Sequence, residues 1–440
     1  MKNRSLPIFL LVLILCGAEA VFAQYQANYD ESKVPDYTLP NPLVCEDGSV
    51  VTNAAQWEAK RRPEIFALFE KEMYGELPSL LREAGNHPDF VTFRTVETCD
   101  DALGGLAIRK QTILTFSSLD GKEKVDVNLL LYVPKDAPQP TPVFLGMNFL
   151  GNHTITKDPN VLLHHLRSGE KATSEAELPE GSRRGDRVNR WAVEKILKSG
   201  YALAVFHYVD VAKDGAQQCF TSGVFDLYSD YEGNQSRGKN DWGAISAWAW
   251  GASRALDYLE TEPLVDASRV AIMGHSRLGK TALWTGASDP RFALVISNDS
   301  GCGGAALSRR EFGESVRIIN RNLYYWFAPQ FTQYNERVND LPIDQHELVA
   351  LIAPRPVYIA SAEEDLWADP LGEYLSALHA VPVYELYGDA PFGNRTEEQL
   401  PNLHEQVGKT IGYHIRAGKH DVTEFDWEMY IRFADKHLKK

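Results

Sequence analysis

Short apolar runs of strand length alternate along most of the chain with stretches of helical period. Strands are predicted at Val127–Val133, Pro142–Phe149, Tyr201–His207, Arg269–Met273, Ala293–Asn298, Val357–Ser361, Pro382–Leu386 and Gly412–Ala417. Between them, Gly243–Glu260 carries apolar residues on one helical face, and a last helix is predicted over Glu424–Leu438 with a capping box from Thr423 and Asp426. Strands that alternate with helices are typical of a sheet covered on both faces. We therefore predict an α/β fold with a mostly parallel central sheet, arranged as a three-layer sandwich.

The first 23 residues follow a different pattern. Two basic positions precede an apolar run from Leu6 to Cys16, and Ala23 offers a small residue at which cleavage can occur. This is the pattern of a secretory signal peptide, and the run is shorter than the roughly 20 apolar residues that a membrane-spanning helix needs. Lipidation of Cys16 is an alternative, although Leu15 is larger than such sites usually allow. We expect a secreted or periplasmic protein that is not attached to the membrane once the signal peptide has been cleaved.

Two polar insertions, at 153–189 and 209–241, interrupt the alternation of strands and helices. The sequence contains no internal repeat, low-complexity tract or interdomain linker. A length of 440 residues alone would suggest two or three domains. Because one strand-helix series runs through the chain, we predict instead a single catalytic domain over residues 24–440.

Charge and cysteine content exclude several classes of function. The chain has 45 Lys and Arg against 60 Asp and Glu, a net charge of −15, and no basic run. Nucleic acid and anionic membranes are therefore not expected as partners. Past the signal peptide there are four cysteines, for which an oxidising compartment permits three full pairings or none: Cys45, Cys99, Cys219 and Cys302. No metal-binding spacing such as CxxC or HExxH occurs, so neither a metal nor a cofactor is expected.

The segment Arg269–Trp284 predicts a strand, a tight turn and a helix, and two chemistries compete for it. The motif from Gly274 to Thr281 matches a phosphate-binding loop, with Asp299 as its magnesium partner. Bulky residues at 275–278, however, occupy the positions that should wrap phosphates. The competing interpretation is a nucleophile elbow, in which Ser276 stands on a strained turn between strand and helix. We favour the elbow, because a secreted chain meets few nucleoside triphosphates.

The order of the partner residues strengthens the elbow interpretation. Leu278 stands where the elbow motif usually has its second glycine, which follows here at Gly279. In α/β-hydrolases the acid and the histidine follow the serine, each in a loop after a later strand. Asp365 and His420 satisfy this order after Ser276. We predict that Ser276 is the nucleophile, that His420 accepts its proton, and that Asp365 orients the imidazole.

Further residues near the elbow have predicted roles. The backbone N–H of Arg277 and the loop beginning near Asn148 are expected to form the oxyanion hole, and the Arg277 guanidinium is a stronger donor than a neutral amide. Lys280 lies one helical turn beyond Ser276 on the same face. Two cations beside the nucleophile of an acidic protein indicate a polar or acidic substrate. His414, inside a predicted strand, is expected to be structural.

At Gly274–Lys280 the sequence GHSRLGK resembles the G-x-S-R-x-G-K signature of the glucuronoyl esterases, carbohydrate esterase family 15. The resemblance continues through Asn298–Arg310, Glu364–Pro370 and Gly418–His420. It implies an α/β-hydrolase that cleaves the ester between the carboxyl group of 4-O-methyl-glucuronic acid on xylan and the alcohols of lignin, without a metal or cofactor.

The resemblance also implies roles for single residues. Ser276 matches the nucleophile, His420 the base and Arg277 an oxyanion stabiliser. Three further residues match positions that hold the uronate ring: Lys280, Glu314 and Trp367. The family places its acid either as Glu at the position of Asp299 or as Asp at the position of Asp365. The shorter side chain of Asp299 reaches less far, so Asp365 is favoured and Asp299 is an auxiliary or alternative acid. The two insertions resemble loops that deepen the cleft of bacterial members.

Without the resemblance, the residues indicate a secreted serine hydrolase with cationic side chains in its site. Two alternatives remain open, another carbohydrate esterase such as an acetyl xylan esterase, and a non-catalytic sugar-binding protein with a hydrolase fold. The ordered Ser276, Asp365 and His420 disfavour the second, because a binding module needs no such triad. A monomer is expected.

Overall fold

The computed structural model describes residues 26–83, 90–118, 121–163, 174, 177–178, 180–228, 237–393, 395–397 and 400–439. The predicted signal peptide at 1–23 lies outside the described residues, as do parts of both predicted insertions. Across the described ranges, no helix is both long enough and apolar enough to cross a membrane.

The strands of the described chain form one sheet of ten. In chain order they are β1 Val91–Asp101, β2 Ala107–Ser117, β3 Lys124–Pro134, β4 Thr141–Asn148, β5 Ala202–His207, β6 Val265–His275, β7 Leu294–Asn298, β8 Val357–Ala362, β9 Val407–Gly408 and β10 Ile411–Arg416. Their order across the sheet is β1-β2-β3-β5-β4-β6-β7-β8-β10-β9. The central strands from β5 to β10 in that order are parallel, and the outer strands pair antiparallel.

Helices cover both faces of this sheet. They are α1 Ala54–Gln56, α2 Arg62–Phe69, α3 Ser79–Glu83, α4 Ala102–Gly105, α5 Val193–Lys198, α6 Tyr208–Val211, α7 Val224–Tyr228, α8 Ala244–Thr261, α9 Arg277–Ser288, α10 Val316–Leu323, α11 Gln345–Ala350, α12 Pro370–His379, α13 Val381–Glu385 and α14 Glu424–His437. The predicted helix at 243–260 corresponds to α8, and the predicted last helix to α14 with its Thr423–Asp426 capping box.

Alternation along the central strands separates two apolar cores. In β5, Leu203 and Val205 face one core while Ala204 and Phe206 face the other. The smaller core is closed by α5 and α14, and the larger core by helices that include α8, α9, α11 and α12. Strands that are apolar on both faces must be covered on both faces, and the predicted three-layer α/β architecture is confirmed.

The four cysteines are free thiols. Cys45, Cys219 and Cys302 are buried, and Cys99 is half-buried. None of the pairings that the sequence permits is formed between them. Two apolar cores of this size supply the stability that disulfides provide in smaller domains.

One sequence prediction fails at the periphery, and one hairpin there was missed. The predicted strand Pro382–Leu386 is wrong, because this segment forms α13, which continues directly from the C-cap of α12. A proline in the first turn of a helix loses no intrahelical hydrogen bond. The helix α13 buries Val383 and Tyr384 as well as a strand would. The β1–β2 hairpin was not predicted, since β1 alternates only half-buried and exposed residues and lacks an apolar run.

A buried polar network lies between β10 and α14. His414 is fully buried inside β10, as predicted for a structural histidine, and its Nε2 lies 2.9 Å from the Asp426 carboxylate. Arg416 Nε donates to the same carboxylate at 2.8 Å. Burial alone would raise the pKa of Asp426, but the hydrogen bond from His414 and the charge of Arg416 outweigh burial and lower it.

We expect Asp426→Asn to reduce the free energy of unfolding by about 3–5 kcal/mol at pH 7, because it removes the nearer of the two carboxylates that face the buried Arg416. The lowered pKa of Asp426 means that its contribution is present above the unfolded value of about 3.9. This contribution is lost as the pH falls through the folded value. Urea unfolding across this pH range measures the difference.

The control is Asp340→Asn, which removes an exposed partner 3.5 Å from Arg337 and should cost less than about 1 kcal/mol. Equal losses in both variants would contradict the prediction.

Candidate active site

The turn between β6 and α9 consists of one residue, Ser276, whose backbone lies at φ 59° and ψ −129°. This left-handed φ is unfavourable for a residue with a side chain and is typical of functional turns. A methyl group added at Gly274 would lie 1.8 Å from the carbonyl oxygen of Leu278, so only glycine permits this turn. One residue cannot wrap a phosphate, and the structure therefore supports the elbow over the phosphate-binding loop.

Gly279 explains the displaced glycine of the motif. An added methyl group there would lie 3.0 Å from the Ser300 side chain and 3.1 Å from the Asn298 carbonyl oxygen. The glycine therefore lets α9 approach the end of β7, whereas Leu278 is buried in the larger core. Ser276 N–H also donates to the Asn298 carbonyl at 2.9 Å, which fixes the elbow to the neighbouring strand.

His420 and Asp365 follow the carboxyl ends of two adjacent strands, β10 and β8. His420 Nδ1 lies 2.5 Å from Asp365 Oδ2, and a carboxylate can only accept this bond, so Nδ1 carries the proton. Backbone hydrogen bonds join the two loops, from Glu364 N–H to the Gly418 carbonyl at 3.0 Å and from Glu363 N–H to the Arg416 carbonyl at 2.8 Å. The imidazole is thus oriented with Nε2 available for a proton.

Asp299 follows β7 and stands close to the same histidine. One ligand atom from each of Asp299, Asp365 and His420 lies within 4.8 Å of the others. Asp299 is buried, its Oδ2 lies 3.5 Å from Arg416 Nη2, and its Oδ1 has no hydrogen-bond partner among the described residues. Burial, then the charges of Glu373 and Asp365, raise the pKa of Asp299 well above its usual value. The hydrogen bond between His420 and Asp365 uses one ligand atom of each residue.

Arg416 shapes the loop that carries His420. Its Nη2 donates to the Lys419 carbonyl at 3.0 Å and to the Asp421 carbonyl at 2.5 Å. The Nε of the same side chain donates to the Asp426 carboxylate. Sequence reasoning missed this residue, because an arginine at the end of a strand gives no sign that it will turn back onto the following loop.

A cavity of about 380 Å³ brings the predicted site residues together. All eight candidates line it: Ser276, Arg277, Lys280, Asp299, Glu314, Asp365, Trp367 and His420. Leu323, Trp326 and Ala368 complete much of the wall. Two other cavities, of about 620 Å³ and 720 Å³, are larger, but neither is lined by a histidine.

A buried ion pair forms one side of the cavity. Lys280 Nζ donates to the Ser300 carbonyl at 2.5 Å and lies 3.7 Å from the Glu314 carboxylate. Burial raises the pKa of Glu314, and the positive charges of Lys280 and Arg277 oppose that shift. Trp367 is 42% exposed beside them, and Glu314 N–H donates to its carbonyl at 2.9 Å. This wall offers a cation, an anion and an aromatic surface to one ligand.

The loop after β4 lies near the elbow, as predicted. Asn148 is buried and closes its own turn, accepting from Gly151 N–H at 2.6 Å and donating to Asn152 at 2.6 Å. The Phe149 ring centre is 5.8 Å from the guanidinium carbon of Arg277. Because Arg277 is the first residue of α9, its backbone N–H has no partner within the helix, whereas the N–H groups of Gly279 and Lys280 donate to the Ser276 carbonyl at 2.8 and 3.1 Å.

Several side chains of the site could not be identified from the sequence. The His275 ring centre lies 4.4 Å from that of His420, and its Nδ1 lies 2.5 Å from Asn298 Oδ1. Burial, and then the neighbouring His420, lower the pKa of His275 well below its usual value, which keeps this ring neutral. Glu373 accepts from Ser300 N–H at 2.7 Å and from the Ser361 hydroxyl at 2.6 Å, and so ties α12 to β7 and β8.

Comparisons with known proteins agree on one family. A family model described as glucuronyl esterase, fungi, matches residues 173–388. Carbohydrate esterase MZ0003, from an unknown prokaryotic organism, is 47% identical and the alignment covers 95% of this chain and 94% of that protein. The structure of a glucuronoyl esterase from Solibacter usitatus superposes with a TM-score of 0.83 at 46% identity and covers 93% of this chain and 100% of that one. A 4-O-methyl-glucuronoyl methylesterase 1 from Wolfiporia cocos is 28% identical over 84% of this chain and 79% of its own length.

We expect Gly274→Ala to abolish esterase activity or to prevent folding, because its methyl group cannot share space with the Leu278 carbonyl. Gly388→Ala is the matched control, since nothing lies within 4 Å of the added carbon there, and it should cost only about 1–2 kcal/mol for its left-handed φ. Hydrolysis of a nitrophenyl ester and thermal unfolding measure both variants. A Gly274→Ala protein that folds and keeps most of its activity would contradict the account of the elbow.

Proposed function

The chain belongs to the glucuronoyl esterases, carbohydrate esterase family 15, and on that basis we propose that it hydrolyses esters between the carboxyl group of glucuronic acid and an alcohol. One observation carries the proposal. The strained Ser276, the hydrogen-bonded pair of His420 and Asp365, and the buried pair of Lys280 and Glu314 line a single cavity. The first three can perform acyl transfer, and the last two can bind a polar acyl group.

Acyl transfer begins when His420 Nε2 takes the hydroxyl proton of Ser276 and Oγ attacks the ester carbonyl carbon. The negative charge that develops on the carbonyl oxygen is stabilised by the guanidinium and the backbone N–H of Arg277. His420 then gives its proton to the departing alcohol as the C–O bond breaks. Water, deprotonated by His420, attacks the acyl-enzyme, and Ser276 leaves with the proton as the uronic acid is released.

The acid partner of His420 is assigned to Asp365. Its hydrogen bond to His420 Nδ1 supports the assignment, since this contact fixes the tautomer and stabilises the imidazolium. Asp299 is close, but among the described residues its hydrogen-bond partner is Arg416 and not His420, and burial raises its pKa. We assign Asp299 a secondary role, in which it accepts from Arg416 and lines the cavity beside the histidine.

The uronate ring is assigned to the wall formed by Lys280, Glu314 and Trp367. The Lys280 ammonium and the Glu314 carboxylate can exchange hydrogen bonds with sugar hydroxyls, and the exposed indole of Trp367 offers an apolar face for the ring. The relative from Wolfiporia cocos is named for methyl esters of 4-O-methyl-glucuronate. We propose the same acyl group here, carried on glucuronoxylan, with lignin alcohols as the natural leaving groups.

The enzyme is proposed to act outside the cytoplasm as one catalytic domain, residues 24–440, after removal of residues 1–23. A polymer substrate such as xylan has to be met outside the cell, and the N-terminal sequence pattern agrees with export. The site needs no metal or cofactor for the steps above.

We expect Ser276→Ala to lower kcat/KM for benzyl glucuronate by about 10⁴-fold or more, because no other hydroxyl in the cavity stands on the elbow. Alcohol release by purified residues 24–440 measures the effect, with an acetyl ester of xylose as the parallel substrate. Cleavage of the acetyl ester alone, still dependent on Ser276, would contradict the uronate while keeping the nucleophile. Full activity of Ser276→Ala on the uronate would overturn the mechanism.

We expect Asp365→Asn to lower kcat by about 10³- to 10⁴-fold, since an amide would favour the wrong tautomer of His420. Asp299→Asn is the matched comparison and should lower kcat by less than about 10-fold, because asparagine resembles the neutral carboxyl that burial favours there. Steady-state hydrolysis of benzyl glucuronate by both variants distinguishes the two acids. The reverse ranking would assign the acid to Asp299.

A further inference from the structure

Asp214 is a buried carboxylate in the second insertion, and four donors converge on it. Its Oδ2 accepts from the Tyr208 hydroxyl at 2.6 Å and from Arg277 Nη1. Its Oδ1 accepts from the Tyr325 hydroxyl at 2.8 Å and from Trp326 Nε1 at 2.9 Å. Burial alone would raise the pKa of Asp214, but the charge of Arg277 and these hydrogen bonds outweigh burial and lower it. Asp214 is therefore held as an anion in one position.

Arg277 depends on this anion for its place in the cavity. Among the described residues, Asp214 is the acceptor that its guanidinium engages. The guanidinium carbon lies 4.8 Å from the ring centre of Trp326 and 5.8 Å from that of Phe149. Its Nε is buried without a hydrogen-bond partner in the described chain. One nitrogen is thus held by Asp214 and the guanidinium lies against the Trp326 ring. The side chain is one-third exposed and lines the cavity.

We propose that Asp214 is a positioning residue, which holds the Arg277 guanidinium where the negative charge of the transition state develops. The proposal rests on the role of Arg277 given above and extends the active site into the 209–241 insertion. A donor stabilises an oxyanion well only if it is already in place before the reaction, so that no reorganisation is needed. An unrestrained arginine samples many rotamers, and Asp214 removes that freedom while leaving other N–H groups of the guanidinium for the substrate.

The alternative is that Asp214 only stabilises the fold. The chain offers a matched control for that alternative in Asp158, which accepts from Arg109 Nη1 and, at 2.9 Å, from the Tyr132 hydroxyl. Asp158 is also buried, but neither it nor Arg109 lines the cavity of Ser276. Both carboxylates thus combine arginine and tyrosine donors, and they differ in whether the arginine faces the proposed substrate.

The test is a double-mutant cycle between Asp214→Asn and Arg277→Ala, measured on the complete mature enzyme with benzyl glucuronate. We expect Asp214→Asn to lower kcat by roughly 10- to 100-fold, the size of effect that follows from misplacing a catalytic group by about 1 Å. KM should change by less than about 3-fold, because the donor acts mainly in the transition state. In the Arg277→Ala background, Asp214→Asn should change kcat by less than about 2-fold.

Two further variants keep the test decisive if Asp214→Asn folds poorly. Tyr325→Phe removes one hydrogen bond to Asp214 and keeps the ion pair, and we expect a loss in kcat of about 2- to 5-fold that also disappears in the Arg277→Ala background. Asp158→Asn should lower the unfolding midpoint without changing kcat per folded molecule. Equal losses in kcat with and without Arg277, or an unchanged kcat in Asp214→Asn, would overturn the proposal.

Failure of the substrate assignment would leave this test intact. If the enzyme cleaves only the acetyl ester, the same cycle can be run on that ester, because both reactions develop charge on the carbonyl oxygen. If benzyl glucuronate is cleaved and the cycle is additive, the esterase function stands and the positioning role of Asp214 is wrong.

Discussion

The close approach of two backbone segments at Gly274 is the constraint on which the site depends. The chain leaves β6 and enters α9 through Ser276 alone, which forces a left-handed φ of 59° at the serine and leaves no room for a side chain at Gly274. This turn places the Ser276 hydroxyl above the carboxyl edge of the sheet, where the loops after β7, β8 and β10 also begin. The acid, the histidine and the serine meet because parallel strands bring these ends to one edge.

Charge is concentrated at this edge, and the described contacts show how the two buried cations Arg416 and Lys280 are compensated. Arg416 lies between Asp426 and Asp299, Lys280 faces Glu314, and backbone carbonyls accept further hydrogen bonds from both cations. Burying such groups is costly unless they are paired and hydrogen-bonded. The result is a site whose polar side chains are fixed before substrate arrives, which is the condition for effective electrostatic catalysis.

The sequence predicted what depends on local pattern. The strand, one-residue turn and helix around Ser276 lie within a short segment, and the order of Asp365 and His420 follows from the alternation of strands and loops. Partners that are distant in the chain could not be predicted. Arg277 and Asp214 are 63 positions apart, and Ser300 and Glu373 are 73 positions apart. No periodicity connects such residues, and only the folded topology brings them together. Local pattern also misleads where an apolar run can be buried equally well by a helix, as happens in α13.

The most direct test of the account is labelling with a serine-directed fluorophosphonate, followed by mass spectrometry of the peptides. The account predicts one phosphonyl group on the peptide that contains Ser276, formed more slowly in the presence of glucuronic acid but not in the presence of xylose or acetate. Such a result would show that the activated serine and the uronate-binding wall belong to one cavity. Labelling of another residue, or equal protection by acetate and xylose, would contradict the account.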